Sequence, residues 1–235
     1  YEDAREILER IVDKQPRFIA AWHDLGTVLK ECHEYEQAVE VLAKALTLEP
    51  ENALTHYYHG AALAMAARPA EAVESYEKAV GIDPELPGAH IGLGHVLKTV
   101  GDQEGGIAAY RRAIDLRPNF GETYYSLANL KTFRFTEQDV DAMSQRLAND
   151  SLPVECRVHF AFSLGKAFED QKDYDRAFEH YALANQLHRD TIAYDPVQTG
   201  VAHERMREVF SADYFASRGA ESGCQSADPI FIVGL

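Results

Sequence analysis

The chain has 235 residues, 46% of them hydrophobic, and its 38 acidic against 23 basic side chains leave a formal charge of −15. So negative a surface repels phosphate backbones and anionic lipid, which argues against nucleic acid and membrane as partners and favours a basic peptide or simple solubility. Cys32, Cys156 and Cys224 are odd in number, far apart and without CxxC spacing, the usage of a reducing, cytoplasmic compartment.

Residues 1–18 open on "YEDAREILER", too charged for a secretory leader, and read as one helix that Pro16 closes. Residues 19–120 are three copies of one unit. Trp22, His56, His90 and Tyr124 are 34 residues apart, and Leu25, His59, Leu93 and Leu127 keep the same step. So do Gly26, Gly60, Gly94 and Ala128, then Ala38, Ala72 and Gly106, then Ala45, Ala79 and Ala113, then Pro16, Pro50, Pro84 and Pro118. Within a unit, Trp22, Leu25 and Leu29 form one apolar helical face, and a break around His33 leads to a second helix with Ala38, Leu42 and Ala45 inward. The small residues at 26, 38 and 45 let two backbones approach, and Pro50 forces the next turn. Neither helix can bury its stripe alone, so the units must stack. Tyr1, Ala4, Leu8 and Pro16 fall in the phases of a second helix, so the chain is expected to begin mid-repeat, at a cut. The apolar face so exposed suits a homodimer through the terminal repeats. The longest small-apolar stretch, "GAALAMAA", is far too short to span a bilayer.

A 34-residue helix–turn–helix unit with these phases resembles the tetratricopeptide repeat. The resemblance implies an all-α fold, a right-handed superhelical solenoid of antiparallel helix pairs whose first helices line a concave groove. The family's groove positions fall on Asp24, Thr27 and Lys30, then Tyr57, Tyr58 and Ala61, then Ile91, His95 and Lys98, then Tyr125 and Asn129. Tyrosines among polar groups suit a protein or peptide partner, the alternative being an ordinary solvated face. Chaperone-binding members hold a C-terminal carboxylate with Lys, Arg and Asn. The matching positions here are His23, Thr27, Tyr58, Gly88 and Gly92, and none of them fits.

Chemistry beyond binding finds little support. His56, His59 and His90 occupy phases that pack between helices, and no Cys or Glu completes a zinc set with them or with His95. Acidic pairs such as Glu169 and Asp170 carry no mark of an acid/base couple, and no nucleophile triad can be nominated. No catalytic, metal or cofactor-binding residue is expected in this stretch.

After Pro118 the register loosens. Residues 121–190 hold "GETYYSLANLK", then "TFRFTEQDVDAMSQRLAND" with Thr136 as N-cap of a helix over 137–149, then a last helix pair over 153–190. In that pair Leu164, Gly165, Phe168, Tyr174, Ala177, Tyr181 and Ala184 regain the repeat phases. Residues 191–227 read as linker carrying one helix at 201–218. Residues 228–235, the end of "SADPIFIVGL", read as a buried strand with no sheet to join.

This order of parts resembles the bacterial tetratricopeptide-repeat sulfotransferases, in which an array with an irregular segment like "FTEQDVDAM" precedes an α/β domain. That domain opens with such a strand and a Pro-Arg-Ser-Gly-Thr loop that holds the donor phosphoadenosine phosphosulfate (PAPS). The resemblance implies that residues 228–235 are the stub of a sulfotransferase domain beyond Leu235, and that the complete protein uses PAPS. This stretch would then be its non-catalytic arm, binding an acceptor or partner peptide in the groove. The alternative is a free-standing repeat adaptor with no enzyme attached.

Overall fold

The computed structural model describes residues 1–193 and 195–218, and the regular structure among them is helical throughout. The strand expected over 228–235 lies outside the described residues, as does Cys224. The chain divides into two units, Tyr1–His188 and Arg189 onward.

The first unit is a solenoid of helix pairs. After α1 (Glu2–Lys14) come α2 (Ile19–Glu31) with α3 (Tyr35–Leu48), α4 (Ala53–Met65) with α5 (Pro69–Ile82), and α6 (Pro87–Val100) with α7 (Gln103–Leu116). The fourth pair is irregular, α8 (Gly121–Ala128) and α9 (Glu137–Leu147), and α10 (Val154–Asp170) with α11 (Tyr174–Arg189) completes the stack.

Three devices recur with the 34-residue period. The first closes the turn inside each pair. His33, Ala67 and Gly101 take left-handed φ values of 62, 57 and 94°, and Lys172 repeats this at 64° in the last pair. The next amide then donates to the carbonyl five residues back: Glu34 to Leu29 at 2.8 Å, Arg68 to Leu63 and Asp102 to Leu97 at 2.9 Å, Asp173 to Phe168 at 3.0 Å. That is a Schellman closure, which satisfies an orphan helix carbonyl and reverses the chain.

The second device joins each first helix to the proline before it. Trp22 Nε1 donates to the Pro16 carbonyl at 2.8 Å, and His56 and His90 do the same through Nε2 to Pro50 at 2.8 Å and Pro84 at 2.9 Å. The proline stops the preceding helix and leaves its carbonyl unpaired; the ring six residues on satisfies it. His56 and His90 are therefore structural. His59 shares a 2.8 Å hydrogen bond with Ser75 Oγ. Among the described residues no three His, Cys, Asp or Glu side chains gather as a metal site would require.

The third device is a glycine under a second-helix side chain. A Cβ on Gly26 would stand 2.8 Å from Leu42 Cδ1, and one on Gly94 or Gly165 would stand 2.6 Å from the ring of Tyr110 or Tyr181. Real Cβ atoms do not approach so closely, so these positions admit only glycine while the side chains above them lie where they do.

Burial follows the pairs. One apolar cluster runs from Val12 to Ala109, and a second gathers Tyr110, Tyr124, Leu127, Met143, Phe160, Leu164 and Phe168. The boundary falls within α7. In the irregular pair, Thr136 and Asp139 form a reciprocal capping box: Thr136 Oγ1 accepts from the Asp139 amide at 3.2 Å, and the Asp139 carboxylate accepts from the Thr136 amide at 2.8 Å. Arg111 of α7 grips the same carboxylate with both terminal nitrogens, Nη2 to Oδ2 at 2.8 Å. Short α8 packs directly on α10, where a Cβ on Gly121 would lie 2.3 Å from the Cys156 carbonyl.

The second unit holds α12 (Pro196–Val209) and α13 (Ala212–Arg218). One helix was expected over 201–218; instead the chain is already helical at Pro196 and breaks at Phe210 and Ser211. Proline is favoured at a first helical position, and Asp195 caps there by accepting from the Val197 amide at 2.9 Å. Ser211 starts the next turn by accepting from the Tyr214 amide at 3.2 Å. No helix among the described residues is long and apolar enough to cross a membrane.

Candidate functional site

The first helices α2, α4, α6 and α10, and α8 with the turn that follows it, carry three rows, counted from the small residue of the packing device (Gly26, Gly60, Gly94, Ala128, Gly165). Three residues before it stand His23, Tyr57, Ile91, Tyr125 and Phe162, an aromatic and aliphatic row. Immediately after it stand Thr27, Ala61, His95, Asn129 and Lys166, and four after it Lys30, Ala64, Lys98, Thr132 and Glu169. Positions three, four and seven apart share one helix face, so in α2, α4, α6 and α10 the rows lie side by side, whereas Asn129 and Thr132 follow the end of α8.

The row is half-buried from Tyr57 onward, His23 being buried, and its rings touch. His23 lies 4.8 Å from Tyr58, which lies 5.2 Å from Tyr57. Tyr57 leans over Gly88, where a Cβ would meet its ring at 3.1 Å, and Tyr76 crosses Gly92, leaving no room for any side chain there. Gly88 and Gly92, which fail as carboxylate ligands, thus act as seats for two tyrosines. At the other end Tyr125 stacks on His159 at 5.2 Å and lies 5.9 Å from Phe162, which is 6.3 Å from Tyr181.

Several of the expected groove residues are already engaged. Thr27 Oγ1 donates to its own helix at the His23 carbonyl, 2.9 Å. His23 Nε2 shares a 2.8 Å bond with Thr55 Oγ1, and His95 Nδ1 shares one of 2.8 Å with the Tyr110 hydroxyl. Asp24, Lys98 and Asn129 are exposed, while Lys30, Tyr57, Tyr58, Ile91 and Tyr125 are half-buried.

Burial, opposed by Glu122, lowers the pKa of His95 and His159, so both rings stay neutral near pH 7. Burial raises Tyr57 and pushes Tyr110 up to about 12, and it lowers Lys30. The acidic excess of the chain is not carried evenly, since α4 and α6 contain no acidic residue at all.

The structure brings Tyr125 and Asn129 together with five residues not expected from the sequence, Ala128, Lys131, Phe162, Lys166 and Tyr181, around a cleft of about 260 Å³. The remaining expected residues line the earlier repeats. A signal for Phe162 and Lys166 was present: Gly165 marks the repeat phase, and they flank it as Tyr125 and Asn129 flank Ala128.

Known proteins share this architecture. A family model described as tetratricopeptide repeat matches residues 23–87, and another with the same description matches residues 87–120. An uncharacterized protein of Aquifex aeolicus (strain VF5) is 30% identical over 106 residues, 45% of this chain. The chain spans only 14% of that relative's length. Among solved structures, YrrB, described as a TPR protein with an unusual peptide-binding site, has a TM-score of 0.56 at 19% identity, covering 79% of this chain and 94% of its own. MamA from Desulfovibrio magneticus RS-1 has a TM-score of 0.48 at 21% identity, over 80% of this chain and 86% of its own.

Proposed function

We infer that this chain, whose residues 23–120 carry tetratricopeptide repeats, is a protein-interaction scaffold that takes a peptide along the row His23, Tyr57, Ile91, Tyr125 and Phe162. One observation carries the reading: large aromatic rings stay half-exposed on the face that bears the cleft, where solvated helices would ordinarily carry charge. Aromatic rings with polar tips supply most of the affinity at peptide interfaces. YrrB, whose fold is similar, is described as having a peptide-binding site, which supports a peptide as the class of occupant.

Selection from a random peptide display library tests it. Retained peptides should lose about tenfold or more in affinity on Tyr125→Ala or Phe162→Ala, since truncating a central aromatic costs about 1–2 kcal/mol or more. Retention indifferent to both substitutions would overturn the reading.

We further propose that this scaffold is the arm of a cytoplasmic, PAPS-dependent sulfotransferase rather than a free-standing adaptor. The support is the order of sequence segments ending in "PIFIVGL". Reading the gene past the codon for Leu235 tests it. A continuation resembling Pro-Arg-Ser-Gly-Thr, followed by PAPS binding to the full-length protein, is the expected result. A stop codon within a few residues would remove the enzyme.

A further inference from the structure

The charge of the whole chain points to a basic partner, but the cleft points the other way. Its floor is apolar: the rings of Tyr125, Phe162 and Tyr181 in sequence, with Ala128 beside them. Its polar lining is Asn129, Lys131 and Lys166. Lys131 makes no ion pair and Asn129 no side-chain hydrogen bond among the described residues, so an ammonium and an amide stand open at the rim.

The two acidic groups beside Lys166 are already taken. Asp170, mostly buried, accepts from Lys166 and faces Arg134 Nη1 at 3.5 Å. Glu169 accepts from the Tyr181 hydroxyl at 2.8 Å. Glu122 shares the helix face of Tyr125 but stands one turn further from the cleft, outside its lining, where its charge acts on His95 and His159. The cleft's own lining thus carries two lysines and no carboxylate, within a chain of charge −15. Lys30 and Lys98 extend the cationic edge along α2 and α6, likewise without ion pairs among the described residues.

We propose that the groove's occupant is an acidic amphipathic peptide, whose apolar side chain lies on the Tyr125, Phe162 and Tyr181 rings while an adjacent carboxylate sits between Lys131 and Lys166 with the Asn129 amide as a further donor. This rests on the peptide-groove reading above. Ammonium–carboxylate hydrogen bonds are stronger than neutral ones, and a basic side chain entering the same cleft would meet like charge. The net charge of the protein sets long-range steering, whereas the cleft's own groups set what can dock.

Three series of C-terminally amidated peptides separate the possibilities, each alternating Leu and Tyr with Asp, Ser or Lys, and read by fluorescence anisotropy. The Asp series should bind about tenfold tighter than the Ser series, and the Lys series weakest. Lys131→Glu, at an exposed site outside any helix, should abolish the Asp advantage and improve the Lys series. Tyr125→Ala should weaken all three, and added salt should shrink only the charge-dependent difference. Equal binding of Asp and Ser series, or tighter binding of Lys, would overturn the acidic occupant while leaving a groove that Tyr125→Ala still reports. No binding by any series, or none sensitive to Tyr125→Ala, would remove the groove reading and this proposal with it.

Discussion

Ala67 sits at φ 57° in the turn between α4 and α5, in the position that Gly101 holds at 94° one repeat later. A left-handed residue with a Cβ costs about 1–2 kcal/mol, and glycine's extra unfolded-state freedom returns part of that. Ala67→Gly should therefore stabilise the chain by about 0.5–1 kcal/mol, seen as a higher urea midpoint at unchanged slope. This strain could be read from the sequence only through the period: a break near His33 is visible, but nothing in His33 or Ala67 alone announces a left-handed residue. His59 gives a second test. Burial, chiefly, pushes its pKa down to about 4, so the unfolded chain takes up a proton that the folded chain refuses between about pH 6.5 and pH 4. Its contribution to stability is complete above pH 6.5 and is lost as the pH falls through that window, with a slope of at most about 1.4 kcal/mol per pH unit. His59→Gln should flatten that limb of the stability profile; an unchanged profile would assign the acid loss to other groups.

At the level of elements, α9 shows what lay outside sequence reading. The capping residue Thr136 was legible from its type and place, but the grip of Arg111, reaching from α7 across 28 residues, was not. Burial pushes the Asp139 carboxyl up, yet hydrogen bonds from Arg111 and Thr136 outweigh it and hold the group below the usual range. Its contribution is thus present above the ordinary carboxylate pKa of about 4 and lost as the pH falls below that. Asp139→Asn should cost about 2 kcal/mol near neutrality, from the ion pair and the weakened cap together, and should remove that acid-limb dependence. Denaturation of both proteins at pH 7 and pH 3 checks it. The cleft was half legible for a related reason. Repeat phases carried to Tyr125 and Asn129, but 37 residues separate Ala128 from Gly165 where 34 separate Gly94 from Ala128, so Phe162 and Lys166 fall out of register. Lys30 and Lys98 were legible as groove positions, but a summed charge hides where the charges stand, so the lysines of the cleft did not show in it.

For the first unit as a whole, the division of the core within α7 matters most. Stacked repeats are coupled only to their neighbours, so each interface holds or fails by its own strength. The cluster from Val12 to Ala109 and the cluster built on Tyr110 meet on one helix. Hydrogen exchange should accordingly show two blocks, α1 to α6 and α8 to α11, with α7 shared. Phe160→Ala should lower protection in the second block by about 3 kcal/mol or more and leave the first nearly unchanged. Uniform loss across both blocks would mean that α7 couples them into one cooperative body.

Trp22 offers a direct reading of that coupling. It is the chain's one tryptophan, buried to 8% exposure and tethered through its indole nitrogen to Pro16. Its fluorescence is a local gauge fixed to the first repeat, blind to the helices that carry the cleft, whereas circular dichroism sums every helix. A chain that melts piecewise will give the two spectroscopies different midpoints, and the gap between them measures how far one end of the stack feels the other.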